Sequence, residues 1–155
     1  MQRRSPLAAA LIAVALPVLA HHGWSSFNQD QPLYLAGTVK SVQWRNPHVE
    51  AVVAVADDLK LPADLAQRKM PAQRQFVDSA ALLAKTRAPA DAAGDWEIEF
   101  APLSRMEAWG ITPLRVGDRI DLIGYAGVPG KPKLLRVEYL IVAGQAYGLR
   151  SAPAR

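Results

Sequence analysis

The sequence predicts a mainly β domain, and three observations carry that prediction. β-Branched and aromatic residues gather in five short runs, at residues 33–45, 49–56, 95–100, 119–125 and 134–142. Turn residues punctuate the runs, at Asn46-Pro47, at Val116-Gly117-Asp118 and across residues 128–132. A single short helical signal falls between the third and fourth runs. Five strands with a helix between the third and fourth are the layout of a small OB-like Greek-key barrel. Five strands are few for a sandwich.

The first run holds Tyr34, Leu35, Thr38, Val39, Val42 and Trp44, all β-formers. The second, Val-Glu-Ala-Val-Val-Ala-Val-Ala, is apolar on nearly every position. Residues 57–93 differ. They are rich in Ala, Leu and charged residues, with Pro62, Pro71 and Pro89 as punctuation. Helical spacing at residues 61–69 and 73–85 would put Phe76, Ala80, Leu83 and Ala84 on one face. This stretch reads as a helical insertion between strands two and three, a hairpin or a partly mobile excursion, too short for a core of its own. In the third run Trp96, Ile98 and Phe100 alternate with Glu97 and Glu99, which marks a half-buried strand whose glutamates face outward. Ser104 and Glu107 then have capping-box spacing, Leu103 can staple the helix start, and Gly110 sits where a helix stops. Residues 144–155 read as a polar tail.

Ahead of the domain lies an address. Met-Gln-Arg-Arg is positive, residues 6–19 are uncharged and apolar, and Val18-Leu19-Ala20 gives a small-residue exit. These three features define a cleavable leader over residues 1–20, with cleavage between Ala20 and His21. The apolar run is shorter than the roughly 20 residues a spanning helix needs. The expected organisation is therefore a signal peptide (1–20), an amino-terminal arm (21–32), an OB-like barrel domain (33–143, with the insertion at 57–93) and the tail (144–155). The expected location is the periplasm or the exterior, with no stable membrane span after cleavage. Loss of Arg3 and Arg4 lowers the formal charge from +4 to +2, which leaves little electrostatic case for nucleic acid. There is no cysteine, so no disulfide braces the fold.

The candidate chemistry lies in the three histidines, His21, His22 and His48. Cleavage after Ala20 would give His21 a free α-amine beside its imidazole, and amine nitrogen with ring Nδ1 closes a chelate on one metal ion. A second imidazole would complete an all-nitrogen, T-shaped site. Such a set suits Cu(II), which also leads the divalent affinity order, and its groups deprotonate readily near neutral pH. His22 points away from His21 in an extended arm, but it has the terminal amine and its own amide within reach. His48 follows the Asn46-Pro47 turn at the mouth of the expected barrel and meets the arm only if the arm folds back. Otherwise it is a hydrogen-bonding group at a strand start. Gly23 excludes the common terminal motif that has histidine third.

Two other chemistries are weaker. Trp24, Phe27, Trp44, Trp96, Trp109 and Tyr125, with dispersed Lys and Arg, are the material of a stacking surface, but most of these aromatics suit a core. No nucleophile elbow, phosphate loop, paired-cysteine motif or His-Glu-x-x-His is present, so no catalytic residues are assigned and an enzyme is not expected.

Ala20-His21-His22-Gly23-Trp24, Gly37-Thr38-Val39, the Trp44-Arg45-Asn46-Pro47-His48 turn, Trp96-Glu97-Ile98-Glu99, Trp109-Gly110 and Val116-Gly117-Asp118 together resemble a group of small exported bacterial proteins. That group is catalogued as domain of unknown function 6152. The resemblance runs over most of the residues after the leader. Gly23 stands where the group usually has serine, and the 57–93 segment is longer than its usual loop. The resemblance implies no established activity, but its motifs contain the same three histidines. The expected function is thus metal binding, with copper as the ligand, through His21, His22 and His48. The alternative is a periplasmic OB-like module that holds a small ligand, or an envelope protein through residues 57–93, with no metal.

Overall fold

A computed structural model describes residues 23–127 and 133–154. The expected leader, His21, His22 and the 128–132 hairpin loop lie outside the described residues. The structure is mainly β, with six strands in one sheet: β1 (Phe27–Gln43), β2 (Glu50–Val55), β3 (Gly94–Glu99), β4 (Arg119–Gly127), β5 (Leu134–Val142) and β6 (Gln145–Gly148). Their order is β3-β2-β1-β4-β5-β6, and β3 also pairs with β5 in parallel. The other ladders are antiparallel.

Two strand assignments from the sequence change. β1 begins at Phe27, six residues earlier than expected, so half of the arm belongs to the sheet. Its early part is irregular, with a register shift between Phe27 and Pro32. The signal was weak there because Asn28-Gln29-Asp30-Gln31 are exposed and polar. The tail is not purely polar extension: β6 returns along β5, with Tyr139 opposite Gly148 and Val142 opposite Gln145.

Alternation assigns the sheet two faces. One carries Leu35, Val39, Ala51, Val53, Trp96, Ile98, Leu122, Leu135, Val137 and Leu140, which form the main core with Phe100 and Met106. The opposite face carries Phe27, Tyr34, Ile123, Tyr125 and Tyr139, and these form a second core with Leu65, Leu82 and Leu83 of the insertion. At the β4–β5 bulge (Ile123/Gly124), Gly124 passes so close to β5 that a Cβ there would lie 2.2 Å from the Arg136 carbonyl oxygen. Only glycine fits that approach.

The insertion is not a helical hairpin but lies as a cover over the second core. It contains one 3₁₀ turn (Leu65–Gln67) and one helix, α1 (Ser79–Lys85), capped by the Asp78 carboxylate accepting from the Ala81 N–H at 3.0 Å. Phe76 precedes α1 and is 85% exposed, so the expected shared face with Leu83 does not form. Backbone bonds tie the insertion down at its middle and towards its end. Tyr34 N–H donates to the Arg87 carbonyl at 2.8 Å, and Arg74 N–H donates to the Ala152 carbonyl at 2.9 Å.

The helix between β3 and β4, α2, spans Leu103–Ala108. Pro102 is its N-cap and no side chain caps it there, so the expected Ser104–Glu107 box is absent. Instead Asn46 Oδ1 accepts from the Leu103 N–H at 3.3 Å, linking α2 to the turn before β2. The stop at Gly110 is as expected, with φ +64°. Gly110 N–H donates to the Glu107 carbonyl and Ile111 N–H to the Met106 carbonyl, the two bonds of a Schellman motif, with Ile111 and Met106 both buried. No helix among the described residues is long and apolar enough to cross a membrane.

Candidate functional site

The Asn46–Pro47 peptide is cis, and it leads directly into His48. The backbone pairing of β2 with β3 extends one step beyond the named strands here: Val49 N–H donates to the Ala101 carbonyl and Phe100 N–H to the Val49 carbonyl. This fixes the register of His48. Val49 enters the main core, so His48 and Glu50 turn to the opposite face, where Glu50 pairs across with Glu99 and Glu99 in turn lies beside Arg136 on β5.

Glu99 is therefore not the exposed carboxylate that the β3 alternation suggests. It is 8% exposed and ion-paired to the Arg136 guanidinium, itself 7% exposed. The reason is the parallel β3–β5 pairing, which sets Glu99 and Arg136 in register. His48 completes the group, with Nδ1 3.4 Å from Glu99 Oε1 and Nε2 3.4 Å from Arg136 Nη2. A guanidinium has donors only, so an Nε2 that accepts from Arg136 leaves Nδ1 as the protonated nitrogen, on the side of the carboxylate. A carboxylate behind one ring nitrogen is the arrangement that orients histidine ligands in metal sites.

Two residues along β5, Glu138 is completely buried. Arg150 from the tail donates to its Oε2 at 2.7 Å, through both Nε and Nη2, and Gln73 from the insertion donates to Oε1 at 3.0 Å. The Gln73 amide oxygen accepts from the Ser151 N–H at 2.9 Å. α2 holds the same tail: Arg105 Nη1 donates to the Leu149 carbonyl and Trp109 Nε1 to the Ser151 carbonyl, each at 2.9 Å. Buried charge here is balanced, two arginines against two glutamates, as the interior requires. Burial first, and the neighbouring Arg150 charge second, push the Arg136 guanidinium down to about 10, so it is still a cation at neutral pH. Burial also raises the Tyr125 and Tyr139 hydroxyls, which stay neutral.

Trp24 sits between these arginines. The Arg150 Cζ lies 4.0 Å from its ring centroid and the Arg136 Cζ 5.1 Å, and Tyr125 meets its edge at 6.1 Å. Arg150 Nη1 also donates to Gln29 Oε1 at 3.2 Å. One guanidinium, Arg136, thus touches both the indole that follows the arm's histidines and the imidazole of His48.

Of the three histidines expected to bind metal, His48 is placed in this cluster, while His21 and His22 lie outside the described residues. Among the described residues, no group of three or more His, Asp or Glu side chains is arranged to hold a metal ion. Glu99, Arg136, Glu138, Arg150 and Trp24 were missed as a set. A signal existed for two of them: Arg136 and Glu138 interrupt the otherwise apolar run Leu134 to Val142. Beside His48, residues Ser41, Gln43, Glu50, Val52, Glu97 and Glu99 line a cleft of about 350 Å³.

No curated protein and no solved structure matches the chain. The sequence model of a family of unknown function (DUF6152) matches residues 9–60. The matched stretch takes in the arm, β1, the turn with His48 and β2, and it ends as the insertion begins; the downstream motifs lie outside it. Over these residues the chain is similar to a family of unknown function, and the stretch of similarity contains all three histidines.

Proposed function

We propose that this chain is an exported binding protein that takes Cu(II) at a site made by its own amino terminus and His48. Export rests on the leader-like residues 1–20, and cleavage after Ala20 would supply the His21 amine. The fold reading that goes with it is an OB-like barrel: β1 to β5 close through the parallel β3–β5 pairing, α2 lies between β3 and β4, and β6 adds to the outside.

The observation that supports the metal reading best is the contact of Trp24 with Arg136. It anchors the arm at the side chain that also reaches His48. Three residue steps separate Trp24 from His21, a span of roughly 10 Å when extended, and the reading requires that span to bring the terminal amine and imidazole to the His48 ring. Glu99 would act behind the ring, holding Nδ1–H and leaving Nε2 as the ligand atom. The Glu99–Arg136 pair is neutral as a unit, so a divalent ion meets no net positive charge, although Arg136 Nη2 must yield its place at Nε2. His22 would contribute through its amide or ring.

The test is Cu(II) titration by calorimetry of protein starting at His21. Binding should be lost or much weakened in the His21→Ala, His48→Ala double variant, and in protein carrying one extra residue before His21. Equal affinity in all three would sink the reading. The cleft beside His48 favours a second reading, an OB-like module for a small cationic ligand with no metal, because Glu50 and Glu97 leave its walls acidic. In that case Glu97→Gln, not His21→Ala, would abolish binding.

A further inference from the structure

We propose that Arg150 and Arg136 form a two-cation seat for Trp24, and that this seat is the positioning device that delivers the amino-terminal arm to His48. The proposal builds on the metal reading above, but it concerns how the arm is held and stands on contacts within the described residues.

The seat is assembled from four distant parts of the sequence. Arg136 comes from β5 and is fixed by Glu99 of β3. Arg150 comes from the tail and is fixed by the buried carboxylate of Glu138, which Gln73 of the insertion also engages. Each guanidinium is paired with a buried carboxylate, which sets the side of the sheet on which it lies. The indole lies within cation–π range of both, at 4.0 and 5.1 Å, with the Tyr125 edge as a third side. Arg150 also binds Gln29, five residues further along the arm, and Gln29 Nε2 donates back to the Trp24 carbonyl at 3.1 Å. The segment from Trp24 to Gln29 is thereby closed into a clip around one arginine. The short 3₁₀ turn at Trp24–Ser26 is closed by the Ser26 N–H donating to the Gly23 carbonyl at 3.0 Å.

The seat holds the indole through contacts on the side chains of two strands, the tail and the arm itself. Its physical effect is to lower the entropy lost when the residues before Gly23 bind a common ligand with His48. Arg150 and Trp24 are positioning residues on this account, since neither touches the metal. The tail, which reads in the sequence only as a polar extension, is then part of the site.

The experiment uses protein starting at His21, as wild type and as Trp24→Leu and Trp24→Phe, with Trp24→Met in reserve should leucine unfold the chain. Nuclear magnetic resonance on the metal-free proteins reads the order of the Gly23 amide and cross-relaxation between arm and His48 ring protons. Wild type and Trp24→Phe should show an ordered Gly23 amide and arm–His48 contacts, and Trp24→Leu should lose both while keeping its melting transition. Cu(II) affinity should fall about tenfold in Trp24→Leu, the order of two partly desolvated cation–π contacts, and recover largely in Trp24→Phe. An arm as ordered in Trp24→Leu as in wild type, or a wild type without arm–His48 contacts, would overturn the seat. An ordered arm in a protein that binds no Cu(II) would sustain the seat and defeat the metal reading.

Discussion

The side chains that point away from the main core meet two different fates along the sheet. Over β1, β4 and β5 they are Phe27, Tyr34, Ile123, Tyr125 and Tyr139, and the insertion lies over them with Leu65, Leu82 and Leu83. Over β2 and β3 they are Glu50, Val52, Ala54, Asp95 and Glu97, and the described residues leave them half-buried or exposed. Each half matches its surroundings. Large apolar groups need a cover to leave water, whereas glutamates on an uncovered face keep their hydration. His48, Glu99, Arg136, Glu138, Arg150 and Trp24 occupy the border between the halves, where charges are buried but always in pairs. The lesson is that the insertion is not an ornament on a finished domain. It supplies three of the eight buried residues of a second core, and Gln73, one of the partners of Glu138.

The largest way to break the contrast is at that border. Arg150→Ala leaves the Glu138 carboxylate fully buried with only Gln73 against it, and it should destabilise by roughly 3–5 kcal/mol. Urea unfolding measures this, and a change below about 1 kcal/mol would show that water reaches Glu138.

The next test compares the two halves directly. Leu83→Ala removes a side chain that is 2% exposed beneath the insertion, so a loss of about 3 kcal/mol is expected. Val52→Ala, on the uncovered half, should lose less than about 1 kcal/mol. Similar losses at the two sites in parallel melts would mean that the β2–β3 face is also covered in solution.

The smallest effect concerns the exposed rim of the insertion. Arg68 donates to both Asp64 oxygens at 3.1 Å, and this holds the Asp64 carboxyl below its ordinary value of 3.8. A depressed carboxyl stabilises the folded state above its unfolded value, and the contribution is lost as pH falls through the folded one. Asp64→Asn should therefore leave melting midpoints near neutral pH almost unchanged. What small loss there is should be present above the ordinary carboxyl value and vanish as pH falls through the folded one, so the two melting-temperature profiles converge in acid. A large shift at pH 7 would assign Asp64 a structural role that its exposure does not suggest.

Local signals made much of this legible in advance. β2, β4 and β5 fall within one or two residues of their expected bounds, because apolar alternation and turn residues act within a few positions of each other. The stop of α2 at Gly110 is equally local. By contrast, the start of α2 was misjudged because its orphan N–H is satisfied by Asn46, which no capping pattern in the helix itself records. The insertion was misjudged because Leu65, Leu82 and Leu83 pack on tyrosines far along the chain.

By itself, then, the sequence determined the mainly β class, most strand positions and the short list of histidines, since period and residue type are local properties. It also marked residues 1–20 as leader-like. Only the tertiary structure decided that Glu99 is buried, that Glu138 draws together the insertion and the tail, and that Trp24 rests between two arginines beside His48. Those facts depend on the β3–β5 register and on the return of the tail along β5, which join residues with nothing adjacent in sequence to announce them.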